Sequence, residues 1–157
     1  MHKKALGLAG IVAAVTLGFF REFVFVNINQ YLRYLYYQHP DEDPTLLHSW
    51  FSFCLDLGYW KTYTLKWILT ALFTFLFFAV NGWTVNSFFQ HQRAWYWTKA
   101  LYLVFLTLSI IAFTGGWILG NINDGYLIAR KFMGFLQSVW PTAFLFPVFY
   151  VISKSGK

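Results

Sequence analysis

Acidic side chains are scarce in this chain: six Asp and Glu stand against twelve Lys and Arg, and charged residues of both signs make up only 11% of 157. A soluble domain averages about a quarter charged residues, so there are too few charges here to face water on all sides. The excess of +6 is scattered and forms no basic stripe, which argues against a nucleic-acid-binding surface. Cys54 is the one cysteine, so neither an internal disulfide nor a cysteine-based metal centre can form. Glycine-rich phosphate loops, the nucleophile elbow and the His-Glu-x-x-His zinc motif are also missing. No catalytic residue, cofactor or metal site is assigned on this sequence.

What the chain has instead is apolar length. Hydrophobic residues make up 58% and aromatic residues 24%, and they gather into long runs, the signature of a membrane protein rather than of a large soluble core. A hydrocarbon layer of about 30 Å needs roughly 20 apolar residues to cross as a helix. Residues 5–26, 63–83, 97–120 and 126–152 reach that length. The first follows a basic start, "MHKKALGLAG", that has the form of a signal peptide; it is read as the first membrane helix. The second and third carry Trp or Tyr near each end, at the depth where amphipathic rings settle. The fourth is longer and holds Pro141 and Pro147; Pro141 removes a backbone donor and predicts a kink. The expected fold is an all-α membrane protein, one domain over 1–157, with four transmembrane helices.

Orientation follows from the basic residues. Four crossings put Lys3, Lys4, Arg93, Lys99, Lys154 and Lys157 on one side, and Asp41, Glu42, Asp43, Asp56 and Asp124 on the other, with Lys61 as the clearest basic residue there. The positive-inside rule then makes both termini cytoplasmic, as in a multi-pass protein of a bacterial inner membrane. An outward loop joins the first two spans, and over about 38–60 it predicts an extracytoplasmic amphipathic helix with Leu46, Trp50, Phe53 and Leu57 on one face. Packing is expected along two seams of small residues, Gly10, Ala14 and Gly18 on the first span and Ala112, Gly116 and Gly120 on the third. Small residues four apart let backbones approach where lipid supplies little hydrophobic drive.

Polar residues on or beside the spans are the candidate sites. Arg21 and Glu22 interrupt the first apolar run, and Glu22, Asn29 and Arg33 recur at helical spacing beyond it. Counting from Tyr126, Arg130 and Lys131 enter the last span at the same outer level, which makes either one the expected partner of Glu22. The set Arg21, Glu22, Asn29, Arg33, Arg130 and Lys131 either pairs internally and locks the bundle, or offers a basic outer-leaflet site to a lipid phosphate or a partner's carboxylate. His39, Asp41, Glu42, Asp43 and His48 have the atoms to hold a divalent metal but no recognised ligand spacing, and read as a solvated acidic turn. Asn81, Asn86 and Gln137 are polar residues in or beside spans, where such side chains usually hydrogen-bond between helices.

The segments "FFREFVFVNIN", "YLIARKFMGFL" and "PTAFLFPVFYVISK", with the overall length and span number, are similar to the small membrane proteins found beside exosortase-type sorting systems in Bacteroidetes-type bacteria. The resemblance implies an accessory role and carries over no catalytic residue. An exosortase itself is not indicated, since Cys54 belongs to no Cys-Arg-His set within the spans. The expected function is that of a non-catalytic accessory or assembly subunit of a larger envelope complex, of protein-sorting or secretion type. Its partners would be membrane lipids and other membrane subunits or further copies of itself, not nucleic acid. A lipid- or anion-binding transporter or channel component is the alternative, and a small membrane enzyme a third.

Overall fold

A computed structural model describes residues 2–37, 49–89 and 93–155. Among them every element is helical and no strand occurs: α1 (His2–Tyr37), a 3-10 helix (Ser49–Asp56), α2 (Gly58–Phe89), α3 (Ala94–Ile118), α4 (Ile122–Leu136) and α5 (Trp140–Ser155). Aromatic and β-branched residues on this scale favour strands in water. In lipid only a helix satisfies every backbone group within its own segment. By length and composition α1, α2 and α3 are each able to cross a membrane, and α4 with α5, bent by 59° at a short break, makes a fourth if the pair is one crossing.

The chain gathers into two compact units, Met1–Gly18 with Thr74–Lys157, and Phe19–Phe73. In the first, Val85, Leu101, Tyr102, Leu136, Leu145 and Phe149 are buried, with Phe78, Phe89, Phe105 and Met133 packed around them. Phe89 lies 4.9 Å from Phe146 and 5.7 Å from Phe149, and Phe105 stacks on Phe135 at 4.4 Å. Dispersion between such rings carries the packing, since a lipid tail is as apolar as the side chain it replaces.

Close neighbours occur along part of each row of small residues. A Cβ on Gly10 would strike the Thr84 side chain, and one on Gly7 would meet the Phe88 ring at 2.6 Å; Ala14 is buried. Gly18 faces open space. On α3, Gly116 would bring a Cβ to 2.6 Å from the Cα of Gly125 on α4, and Gly125 packs against the carbonyl of Ala112. Gly120 is no part of this seam. It sits at φ 73° after α3, where its own N–H reaches the Trp117 carbonyl and the next N–H, on Asn121, reaches that of Gly116 at 2.8 Å. This left-handed ending satisfies carbonyls that the helix leaves free. Asn121 then starts α4, its side chain accepting from the Asp124 N–H and donating to the Asp124 carboxylate at 2.6 Å.

In the second unit Ile28 and Cys54 are fully buried. Phe23 packs on Trp50 and Phe51, and Phe73 on Phe20 and Phe25. Tyr31 donates to the Leu55 carbonyl at 3.1 Å. The described part of the segment between α1 and α2 is 3-10, not α, and its buried residues are Phe51 and Cys54, three apart. Trp50 and Phe53, expected on one apolar face, are exposed; Leu46 lies outside the described residues. A helix with three residues per turn stacks i on i+3, which selects a different face from the α-helical spacing.

Candidate functional site: a buried polar cluster at a broken helix

The kink expected at Pro141 is a break. Proline has no N–H to offer the carbonyl four residues back, and its ring clashes with that carbonyl, here that of Gln137. Helix α4 accordingly ends at Leu136, and Pro141, fully buried, sits in the first turn of α5. A break among apolar helices strands backbone groups at a cost of about 1–3 kcal/mol each unless they are partnered, and side chains from α2 and α3, with Ser138 in the break itself, partner them.

Asn81 of α2 is the hub. Its amide nitrogen donates to the Ser138 carbonyl at 3.0 Å and to the Tyr102 hydroxyl at 2.9 Å. Its amide oxygen accepts from the Thr142 hydroxyl of α5 at 2.7 Å. Tyr102 of α3 passes its own proton on to the Leu136 carbonyl at 2.8 Å. Beside this chain, Gln137 donates to the Thr74 hydroxyl at 2.8 Å. Ser138 donates to the Phe135 carbonyl and accepts from the Trp140 N–H. Asn81, Tyr102, Gln137, Thr74 and Thr142 are all buried, and among the described residues no buried side-chain nitrogen or oxygen lacks a partner. The cluster is neutral. Apart from the Tyr102 phenol, which donates to the Leu136 carbonyl, its side chains do not titrate, so the cluster resembles a clamp for a bent helix more than a proton-transfer site.

The expected charge set divides between the two units. Arg21, Glu22, Asn29 and Arg33 belong to the second, where Arg21 Nη1 contacts Glu22 Oε2 at 3.2 Å and the Arg21 guanidinium lies over the Phe25 ring at 5.2 Å. Within this unit Glu22 pairs with its chain neighbour. Asn29 is half-buried and Arg33 exposed. Arg130 and Lys131 belong to the first unit and are exposed on α4. Their level also differs from the count that began at Tyr126, because α4 starts at Ile122 and lies against α3. Ser109, which donates to the Ala129 carbonyl at 3.2 Å, stands at the middle of the uncharged stretch 100–120. Arg130 and Lys131 follow Ala129 directly, so they lie beside the centre of α3 rather than its end.

Among the described residues no three His, Cys, Asp or Glu side chains come together as a metal site; His39, Asp41, Glu42, Asp43 and His48 lie outside the described residues. Burial pushes the Cys54 thiol pKa up, which keeps it protonated and a poor nucleophile near neutrality. Asn81 and Gln137 were legible as interhelical donors, whereas Tyr102, Thr74, Ser138 and Thr142 were not. The signal that points to them is Pro141 placed four residues after Gln137, which marks carbonyls in need of donors from other helices. No protein-family model, curated protein or solved structure matches the chain.

Proposed function

We propose that the chain is an inner-membrane protein with four crossings, α4 and α5 together forming the fourth, both termini cytoplasmic and residues 27–62 facing outward. In this reading it serves, without catalysis, as an accessory or assembly subunit of a larger envelope complex of protein-sorting type. The observation that carries it is the distribution of polarity. Among the described residues every buried side-chain nitrogen and oxygen is hydrogen-bonded, while Trp60, Phe75, Ile110, Trp117 and Phe144 are among many large apolar side chains turned outward. Its described polar interior is thus satisfied, and the outer surface is the part left to interact. Rings such as Trp60 and Trp117 suit both the membrane interface and a protein partner. Likeness in the two charged segments to the exosortase-associated membrane proteins supports the sorting context.

Purification of the tagged protein in mild detergent, with mass spectrometry, tests this. A reproducible stoichiometric membrane partner is the expected result, and recovery of the protein alone with lipid would overturn it. The break between α4 and α5 favours a second reading, because discontinuous membrane helices often line substrate sites in transporters. Flux of ions or small solutes into liposomes holding only this protein would select that reading.

A further inference from the structure

Arg130 and Lys131 are two adjacent cations at an unusual depth. Residues 100–120 carry no charge and are bracketed by Lys99 and Asp124. The part of this stretch within α3, residues 100–118, spans about 28 Å at 1.5 Å per residue, close to the thickness of a hydrocarbon layer. With α3 read as a membrane span, that match puts its mid-bilayer level near Ser109. Helix α4 is held along α3 at two levels, by Gly125 against Gly116 and by the hydrogen bond from Ser109 to the Ala129 carbonyl. Arg130 and Lys131 therefore leave the backbone within about 5 Å of mid-bilayer.

Both point away from α3. Gly125, Ala129 and Leu136 are the buried side of α4, and the next residues round the helix, Arg130 and Lys131, are exposed together with Leu127 and Ile128. Among the described residues of their own unit neither cation has a hydrogen-bonding or ion-pair partner. A charge at mid-bilayer is costly and almost always faces a partner or water. A headgroup phosphate is about 15 Å away, half the hydrocarbon thickness, beyond the reach of either side chain at full stretch. A carboxylate on a neighbouring membrane helix fits that depth, and the flanking Leu127 and Ile128 supply apolar contact around it.

We infer that the Arg130–Lys131 face of α4 docks a membrane-spanning segment of another protein that carries a carboxylate at mid-bilayer depth. The inference rests on the reading of the chain as a membrane subunit and names the chemistry of its partner.

The test uses a synthetic single-span Leu/Ala peptide with one central Glu, and its Gln twin, in phosphatidylcholine vesicles with the labelled full-length protein. Energy transfer reports association. The expected result is association about tenfold tighter for the Glu peptide than for the Gln peptide, the scale of a charge-assisted hydrogen bond. R130Q/K131Q should abolish that preference and R130K/K131R should retain it, which separates charge from misfolding. Equal binding of the two peptides, or a preference that survives R130Q/K131Q, overturns the inference. Displacement of the Glu peptide by phosphatidylglycerol also overturns it, since the cations would then reach the headgroups. No native partner is present in this assay, so its failure is distinct from failure to co-purify a complex, which bears on the subunit reading.

Discussion

At the scale of single residues, the broken helix hangs on a few hydrogen bonds whose removal has calculable cost. Asn81→Ala deletes both donors and the acceptor that join α2 to Ser138, Tyr102 and Thr142. It leaves buried groups unpaired at about 1–3 kcal/mol each before relaxation. The expected destabilisation is about 2–3 kcal/mol, read from the unfolding midpoint in mixed micelles. Tyr102→Phe removes the donor to the Leu136 carbonyl and the acceptor of one Asn81 N–H and should cost about 1–2 kcal/mol. Because the two side chains share a bond, the double variant should cost less than the sum; strict additivity would show that they act separately. Cys54 offers a check on the other unit. Its thiol pKa is raised by burial, so the folded protein holds that proton after the unfolded chain has lost it. The associated stability is complete below the ordinary thiol value of about 8.5 and declines as pH rises above it. Iodoacetamide should label Cys54 slowly at pH 7.5 in the folded protein and quickly after denaturation. Rapid labelling of the native protein would mean the thiol is accessible.

Elements meet through glycines, and here two similar sequence patterns have opposite consequences. Gly116→Ala drives a Cβ to 2.6 Å from the Gly125 Cα and 2.8 Å from the Asn121 carbonyl. Backbone cannot step aside as a side chain can, so α3 and α4 must separate at a cost of about 1–3 kcal/mol. Gly18→Ala meets nothing and should gain roughly 0.5–1 kcal/mol from helix propensity. Thermal unfolding of the two variants side by side tests the contrast, and equal shifts would show that neither glycine packs as described. Spacing alone made both residues candidates for close approach. It identified the part of each seam that touches a neighbour, Gly10 with Ala14 and Ala112 with Gly116, but not where contact ends. Gly120 shares the four-residue spacing for another reason, the positive φ that closes α3. Likewise Pro141 announced a bend, and only the geometry shows a break. The donors that rescue its carbonyls come from α2 and α3, too far along the chain for local periodicity to connect. The segment between α1 and α2 buries Phe51 and Cys54 because 3-10 and α helices select different faces from the same residues.

For the whole molecule the undecided element is the bent pair α4–α5, which either completes a crossing or returns to the side it came from. Charge favours the crossing. With four crossings Lys154 and Lys157 join Lys3, Lys4, Arg93 and Lys99 on one side, whereas a returning hairpin would export the last two against the positive-inside bias. A fluorescent protein fused after Lys157 should therefore be bright, and alkaline phosphatase at the same point inactive, in a bacterial host. Phosphatase inserted in the turn between Gly120 and Asn121 should be active. A dark fluorescent fusion with active phosphatase at the C-terminus would replace the crossing by a re-entrant pair. The depth of Arg130 and Lys131 survives either result. It depends on α4 lying along α3 through Gly116, Gly125 and the Ser109 hydrogen bond, all of which precede the break. Only the direction of α5 changes, and with it whether the Asn81 cluster clamps a through-going helix or the apex of a returning one.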